Sequence, residues 1–435
     1  MPQKIKYNDL DFNTAFQNIL SLKRDVEQDV DGTVAEIIAN VRSIGDEALF
    51  GYAKEFDNFQ LDFNNIRIDK EKIDTGYAKC NRSFLDALQL AYARIKAFHE
   101  RQLPESFKYV DDVGVGLEYR WTPIDSVGLY VPGGRASYPS SLLMNAIPAL
   151  VAGVNRIVVC SPSSDKGIDP IILAAAKICG IKEIFCVGGA QAIAALAYGT
   201  QIIQPVCKIV GPGNSFVAAA KRQVFGQVGI DNIAGPSEIL IICDNKNNPD
   251  WIAIDLLSQA EHDPTAQAIL ITDDEEFSVE VEKCIEKQLK TLKRSDIASE
   301  SWEKFGVIIL VKSLLDATNL INELAPEHLE IAIENPDEFV ALVKNAGSIF
   351  LGSHTPEAIG DYIAGPNHVL PTSRSARFSS GLGVIDFMKR TSIIQCSKEN
   401  IQVLGPSVVE MAEAEGLGAH ARSIKMRLAG KTISE

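Results

Sequence analysis

The sequence lacks the features that would take a protein into or across a membrane. Its 435 residues contain no apolar run of about 18 residues, the length that a membrane-spanning helix needs. The first residues, MPQKIKYNDLDFNTAF, have no apolar core of signal-peptide length, and Asp9 and Asp11 are atypical of an organelle transit peptide. We therefore expect a cytoplasmic protein with no membrane partner.

An excess of positive charge is also missing. The formal net charge is -15, and the basic residues are scattered along the chain. Binding to a phosphate backbone requires clustered Lys and Arg, so we expect no nucleic-acid partner. The short basic run LKTLKR at 289–294 is best explained as the solvated face of a charged helix.

The eight cysteines form no C-x-x-C pair, and none lies in a polar motif beside a histidine. They are Cys80, Cys160, Cys179, Cys186, Cys207, Cys243, Cys284 and Cys396. Most lie inside apolar runs such as RIVVCSP and EIFCVGG, where a reduced thiol behaves as a small buried hydrophobe. We therefore predict structural cysteines rather than a catalytic thiol.

Hydrophobic periodicity predicts a helical region at 1–125. The segments DGTVAEIIANVRSIGDEALFGYAKEFD and NRSFLDALQLAYARIKAFHERQL have apolar residues at helical spacing. His99 lies on the second of these helices and is predicted to face solvent.

Short apolar strands alternate with helices through 126–237 and again through 238–385, with Gly-containing turns between them. This alternation is typical of parallel sheets with crossover helices. The predicted fold class is α/β, with two tandem Rossmann-like parallel-sheet units, the N-terminal helical region and a C-terminal helical tail. The tail, 386–435, is too short to hold a core of its own and must pack on something else.

Two polar motifs in the second unit are candidates for metal or substrate binding. Gln259 and His262 in SQAEHDP are three residues apart at a predicted helix end and share one face, so they can hold zinc. A histidine that caps backbone carbonyls is an equally common arrangement. Asp361 and His368 flank the Gly-Pro turn of GDYIAGPNH, where a loop positions functional groups. The alternative there is an Asp cap and an exposed histidine.

Glu327 and His328 are adjacent in APEHLEI. Neighbouring side chains point in different directions, so the two could serve separate proton transfers. Pro326 followed by an acid also fits the start of a helix, and this interpretation stays open at this point.

A further motif, EGLGAH, contains Glu415 and His420. Zinc takes three or four N, O or S ligands. Gln259, His262, Asp361 and His420 would supply four without a thiol.

The glycine motifs VPGG, VGGAQA and GPGN all follow predicted strands, where a nucleotide phosphate could lie against a helix N-terminus. None of them is G-x-G-x-x-G with an acid about 20 residues later, which is the usual dinucleotide fingerprint. Local pattern alone therefore leaves NAD binding undecided.

From about residue 120 to 425, the motifs together resemble those of histidinol dehydrogenases. The resemblance is carried by GLYVPGGRASYPSSLLMNAIPALVAGV, VGGAQAIAALAYGT, IVGPGNSFVAAAKRQV, IDNIAGPSEILI, DLLSQAEHDP, LAPEHLEI, GDYIAGPNHVLPT and EGLGAHARS, which occur in order. It implies oxidation of L-histidinol through L-histidinal to L-histidine, the last step of histidine biosynthesis, with two NAD molecules used in turn.

The resemblance also implies a role for individual residues. One zinc ion per subunit would be held by Gln259, His262 and Asp361, with His420 coming from the other subunit of a homodimer. Glu327 and His328 would be the catalytic acid–base pair, and Tyr130, Gln191 and Asn214 would line the NAD site. The implied substrate contacts are Ser237, Gln259, His262, His328, Asp361, His368, Glu415 and His420. The tail would then pack on the partner subunit, and each active site would be shared. His354 has no role in this pattern and is expected at the surface.

Two other functions compete with this interpretation. A zinc hydrolase of a small amide or imidazole substrate would use the same ligands to activate water, with Glu327 as the base. A non-catalytic, two-lobed metabolite-binding protein would need neither the adjacent Glu–His pair nor a zinc set. The paired α/β units and the nucleotide-like glycine turns favour the dehydrogenase.

Overall fold

The computed structural model describes residues 2–22, 30–133, 138–163, 167–233 and 235–429. These residues form two compact units. The larger, called the core unit here, comprises the described residues up to Gln102 together with Asp125–Phe387. The smaller, called the small unit, comprises Leu103–Ile124 and the described residues from Met388 onward.

The strands are β1 (Gln3–Lys6), β2 (Phe107–Val110), β3 (Gly116–Pro123), β4 (Ser126–Tyr130), β5 (Arg156–Cys160), β6 (Glu183–Phe185), β7 (Lys208–Val210), β8 (Gly229–Ile230), β9 (Glu238–Cys243), β10 (Gln267–Thr272), β11 (Val307–Leu310), β12 (His328–Ala332), β13 (Ser348–Leu351) and β14 (Met388–Gln395). The α-helices are α1 (Phe12–Ser21), α2 (Asp31–Ile44), α3 (Asp46–Phe56), α4 (Lys70–Lys79), α5 (Arg82–Glu100), α6 (Pro139–Ala152), α7 (Pro170–Ile178), α8 (Gly189–Tyr198), α9 (Ser215–Val224), α10 (Pro249–Ala260), α11 (Glu275–Leu289), α12 (Ser295–Phe305), α13 (Ala317–Leu324), α14 (Pro336–Val340), α15 (Glu357–Tyr362), α16 (Lys398–Ala414) and α17 (Gly418–Ala429). Short 3₁₀ helices cover Leu314–Asp316, Ser375–Arg377 and Val384–Phe387. None of the described helices is long and apolar enough to span a bilayer.

The first parallel sheet has the strand order β6-β5-β4-β7-β8. The chain enters at the central strand β4, builds outward to β6, and then returns to add β7 and β8 on the other side. Every residue of β4 is buried, as expected for a parallel strand covered by helices on both faces. This order places a crevice at the carboxyl ends of β4 and β7, the usual ligand site of a doubly wound sheet.

The second parallel sheet repeats the plan in the order β1-β11-β10-β9-β12-β13. Alternate residues of its strands face two separate hydrophobic clusters: Leu240 and Ile242 lie in one, and Ile239 and Ile241 in the other. Both faces of the sheet are therefore buried. The predicted α/β fold with two tandem Rossmann-like units is confirmed, with β4 beginning at Ser126 and β9 at Glu238. Their independence as domains stays a prediction.

Two strands of the second sheet were not expected. β1 is only four residues long with one buried residue, Ile5, so it carries no periodic signal. β12 contains a glutamate and follows Pro326-Glu327, a pattern that also fits a helix start, yet all its residues are buried and it lies between β9 and the edge strand β13. Pairing with β9 and β13 decides its conformation, which excludes the helix-start interpretation.

The prediction that His99 faces solvent is wrong. Its side chain is completely buried, and Nδ1 lies 2.8 Å from the carbonyl oxygen of Ile95. His99 lies on the same apolar face of α5 as Leu88 and Ile95, because it follows Ile95 by four residues and Leu88 by eleven. Burial lowers the pKa of this histidine, so it is a neutral core residue.

The small unit is an antiparallel sheet in the order β14-β3-β2, together with α16 and α17. β14 and β3 pair from Met388 opposite Pro123 to Gln395 opposite Gly116. The amide of Asn400, in the first turn of α16, donates to the carbonyl of Val113 at 2.6 Å. The tail is thus helical as predicted, but it begins with a strand that pairs with its own chain. Its packing on a partner subunit stays a prediction.

Candidate active site

The amino end of β12 holds the adjacent pair Glu327 and His328. The helix α13 stops at Ala325, whose φ of +44° turns the chain out of the helix, and β12 begins three residues later. His328 is paired in register with Ile239 of β9 and Ser348 of β13. Both polar side chains are buried, at 6% and 4% relative exposure. Because β12 is an interior strand of the sheet, between β9 and β13, both side chains lie inside the protein.

The backbone of Glu238, at the start of β9, holds both side chains. Its N–H donates to Glu327 Oε2 at 2.9 Å, and its carbonyl oxygen lies 3.0 Å from His328 Nδ1. Since a carbonyl only accepts, Nδ1 carries the hydrogen and Nε2 carries the lone pair. The two side chains do not diverge as predicted, because Glu327 Oε2 lies only 3.8 Å from His328 Nδ1.

The Nε2 atom of His328 is buried and has no hydrogen-bond partner among the described residues. It lies 3.9 Å from Asp361 Oδ1. Burial lowers the pKa of His328 to about 4, against the opposing effect of Asp361, and the charges of His262 and His368 lower it further. The ring is therefore neutral, with a lone pair available for a proton or a metal ion.

Glu357, the first residue of α15, is a site residue that sequence reasoning missed. It is 2% exposed, and Oε1 lies 3.5 Å from His328 Nδ1. Burial raises its pKa well above the usual value, and the carboxylates of Asp361 and Glu330 add to the effect. Its spacing of four residues from Asp361, on one helix, was the available signal.

Gln259, near the end of α10, is completely buried beside Glu357. With its amide nitrogen facing the carboxylate, it donates to Glu357 Oε1 at 2.6 Å and to Oε2 at 3.1 Å. The amide oxygen then lies on the opposite side of the group. Glu357 thus fixes the orientation of a predicted metal ligand, as outer partners of metal ligands commonly do.

Three side chains form a set that could hold a cation. His328, Glu357 and Asp361 each offer a ligand atom, and these atoms all lie within 4.8 Å of one another. One imidazole nitrogen and two carboxylates are donors that zinc accepts. The unpartnered Nε2 and the crowding of buried carboxylates both favour a bound divalent cation, so the residues fit the expected metal.

Of the predicted metal ligands, Gln259 and Asp361 reach this cluster. His262 follows the end of α10, with its side chain exposed and its N–H bonded to the Gln259 carbonyl at 3.1 Å. His420 and Glu415 belong to the small unit, where both are exposed. Their part in the site stays a prediction.

A cavity of about 130 Å³ opens beside the cluster. It is lined by His328, Ser348, Ile349, Phe350, Thr355, Ile359, Gly360, Asp361, Ala364, Pro366, Asn367, His368 and Leu370. His368 is held there by Nδ1, 2.9 Å from the backbone oxygen of Asp361. Ser237 is half-buried and immediately precedes Glu238, whose backbone holds Glu327 and His328. His354, in contrast, is exposed, as expected.

The three predicted NAD residues all lie at the carboxyl edge of the first sheet. Tyr130 ends β4, and its hydroxyl accepts from the Gly189 N–H at 3.0 Å, while burial raises its pKa to about 12. Gln191, in the first turn of α8, is 2% exposed. Asn214 caps α9, its side chain accepting from Val217 N–H at 3.1 Å. They therefore surround the crevice of a doubly wound sheet.

Four of the eight cysteines are buried thiols. Cys160, Cys179, Cys186 and Cys243 are buried, and burial raises the pKa of each, to about 12 for Cys179 and about 11 for Cys186. All eight are unpaired, and Cys207 and Cys396 are exposed, which the expectation of buried thiols did not foresee.

Comparison with known proteins identifies the family of this chain. The family model described as "Histidinol dehydrogenase" matches residues 21–428. A histidinol dehydrogenase of Rhodospirillum rubrum is 56% identical over 429 residues, covering 98% of this chain and 99% of that protein. One of Brucella suis is 56% identical over 428 residues, covering 98% of this chain and 100% of that protein. The crystal structure of histidinol dehydrogenase from Elizabethkingia anophelis matches with a TM-score of 0.93 at 37% identity, covering 99% of this chain and 98% of that one. The chain therefore belongs to the histidinol dehydrogenase family.

Proposed function

We propose that this chain is an NAD-dependent, zinc-dependent dehydrogenase that oxidises L-histidinol through L-histidinal to L-histidine, the last step of histidine biosynthesis. The observation that carries the proposal is the neutral, buried His328, whose unpartnered Nε2 faces Asp361 at the edge of a cavity. Family membership supports the same reaction.

His328 is the base for the alcohol. Its Nδ1–H is held by the Glu238 carbonyl, which orients the ring and leaves Nε2 as the proton acceptor. Oxidation of the alcohol removes a hydride from carbon and a proton from oxygen, and Nε2 takes the proton. Because burial keeps the ring neutral, the acceptor is present before the substrate binds.

Glu327 is the base for water. The aldehyde must be hydrated before its second oxidation, and the Glu327 carboxylate takes the proton from the attacking water. The bond from the Glu238 N–H stabilises the ionised form of this carboxylate and fixes its position. The hydrate then loses the second hydride. This route requires no thiol, in agreement with buried cysteines whose pKa values are raised.

Gln259, His262 and Asp361 would hold one zinc ion per subunit, with His420 supplied by a second copy of the chain. When bound, zinc would orient a substrate that carries an imidazole and an amine. Glu357 holds the Gln259 amide in place. Asp361 belongs both to this ligand set and to the cluster with His328, so metal and proton acceptor adjoin the same cavity.

Tyr130, Gln191 and Asn214 would bind NAD, which accepts the hydride, in the crevice of the first sheet. The exposed His420 and Glu415 suit a contact with a partner, and we propose a homodimer with shared active sites. We further propose a cytoplasmic location and no nucleic-acid or membrane partner.

The test is a direct assay of purified protein with L-histidinol and NAD. We expect NADH absorbance to rise with two NADH formed per histidine, and to stop after zinc is removed by a chelator. Release of a hydrolysis product from a small amide or imidazole compound without NADH would favour the hydrolase. Binding of histidinol without any turnover would favour a non-catalytic protein, and either result would overturn the proposal.

A further inference from the structure

A buried ion pair lies below the crevice of the first sheet, outside the residues assigned to the reaction. Lys221 of α9 pairs with Asp231, which follows β8, and each side chain is only 4% exposed. The Lys221 ammonium also donates to the carbonyl oxygens of Gly211 at 2.9 Å and Asn232 at 3.5 Å. Its three hydrogens therefore have three acceptors.

The pair holds the backbone of Gly211 on both sides of its Cα, at the N–H and at the carbonyl oxygen. Asp231 Oδ2 accepts from the Gly211 N–H at 2.7 Å, while Lys221 binds the Gly211 carbonyl. Gly211 begins the GPGN turn after β7, and its φ of +118° is a conformation that L side chains rarely adopt. A Cβ there would lie 2.1 Å from the backbone oxygen of Tyr130. The ion pair thus keeps the turn in close contact with the end of β4.

The rest of the turn is equally constrained. A Cβ at Gly213 would lie 2.4 Å from Cβ of Val217, so the turn packs directly on the first turn of α9. Asn214, a predicted NAD residue, bonds to the N–H of that same Val217. The position of Gly211 therefore sets where Asn214 lies relative to Tyr130, across the crevice.

Stabilisation of the fold does not by itself explain why this ion pair is buried. The free-energy cost of removing two charges from water offsets most of their electrostatic attraction. Replacing both members of a buried ion pair by apolar residues therefore often leaves the fold as stable as before. The contacts made by Lys221 and Asp231 go instead to the backbone of the turn.

We propose that Lys221 and Asp231 are positioning residues for the dinucleotide, which hold the Gly211–Asn214 turn against Tyr130 in the shape that NAD binding requires. The inference rests on the proposed function, in that NAD occupies this crevice. Neither residue touches NAD, and both act through the Gly211 peptide.

The experiment compares the parent protein with K221M/D231L, which removes both charges at once, and with D231N, which keeps an acceptor for Gly211. A matched control is R156M/E183L. Arg156 pairs with Glu183 at 3.1 Å and also binds two backbone carbonyls, but at the amino ends of β5 and β6, the opposite edge of the same sheet. NAD affinity is measured by equilibrium dialysis without histidinol, alongside KM for each substrate, kcat, zinc content and the melting temperature.

We expect K221M/D231L to bind NAD roughly tenfold more weakly, because charged hydrogen bonds to the turn are lost. KM for NAD should rise in parallel, with zinc content and KM for histidinol close to the parent values and a much smaller change in kcat. The R156M/E183L control should bind NAD like the parent.

Parental NAD affinity in folded K221M/D231L, or a loss of NAD affinity in D231N as large as that in K221M/D231L, would overturn the positioning role while leaving the proposed function intact. An equal loss in the control, or loss of the fold in both test variants, would assign the pair to stability and also overturn it. Failure of the parent protein to bind NAD at all would refute the proposed function itself.

Discussion

Glu357→Gln tests whether this carboxylate orients Gln259, the proposed metal ligand. In the parent protein both carboxylate oxygens of Glu357 accept from the Gln259 amide, at 2.6 and 3.1 Å. Glutamine at this position keeps one acceptor oxygen and places an NH₂ group against another NH₂ group. The Gln259 amide then loses its fixed orientation, although the shape and volume of the side chain are preserved.

Loss of an outer partner of a metal ligand typically weakens metal binding tenfold to a hundredfold, which corresponds to ~1.4 to 2.8 kcal/mol. We expect Glu357→Gln to lose zinc by this factor. The assay is competition between the protein and a chelator of known affinity, with bound zinc measured by elemental analysis, so that the result does not depend on activity.

Glu330→Gln is the matched control. Glu330 is buried at 4% exposure in the same group of acids, and its Oε1 accepts from the Glu357 backbone N–H at 2.7 Å, a bond that glutamine also accepts. Burial raises its pKa to about 8, so at neutral pH it is mostly uncharged and its removal should change zinc affinity little. Parental zinc affinity in Glu357→Gln, or an equal loss in Glu330→Gln, would refute the orienting role.

Three other results are expected. Glu327→Gln should slow oxidation of added histidinal roughly a hundredfold, because this second step needs activated water. Oxidation of histidinol to histidinal should slow less. Equal losses in the two half-reactions would contradict the assignment of Glu327 to the second step alone. Since the folded-state pKa of Glu330 is raised from 4.5 to about 8, its stabilising contribution is present below pH 4.5 and is lost as the pH rises towards 8. The melting temperature of the metal-free protein should therefore fall as the pH rises from 4.5 to 8, and it should fall less in Glu330→Gln. Identical profiles of melting temperature against pH in the two proteins would show that the pKa of Glu330 is not raised. We expect His262→Asn and His420→Asn subunits to be inactive when each is expressed alone. Co-expression should restore activity, because one of the two shared sites in the mixed dimer carries neither change. An inactive purified mixed dimer would exclude shared sites.

Several features of this protein follow from local sequence alone. The alternation of short apolar strands with helices from residue 126 onward predicts two parallel-sheet units, because a strand buried on both faces is mostly apolar along its length. β4 and β9 fulfil this, with every residue buried. The ordered motifs likewise identify the family, because long stretches are matched in sequence.

Tertiary structure alone decides which strands enter the second sheet and which acids enter the site. β12 enters the interior of this sheet because it pairs with β9 and β13, whereas its local sequence carries an ambiguous signal. Glu357 joins the site because α15 directs it at Gln259, a residue 98 positions earlier in the chain. No local pattern encodes that approach.

The charge and tautomer of His328 show most clearly what the sequence determines and what the tertiary structure decides. The sequence places a histidine beside a glutamate, and this shows that a proton acceptor is available. It does not show the charge or the tautomer of the histidine. The Glu238 carbonyl on the neighbouring strand sets the tautomer, and burial lowers the pKa of His328 to about 4. Both effects arise from groups distant in sequence, because desolvation and hydrogen bonding depend on what surrounds a side chain in space.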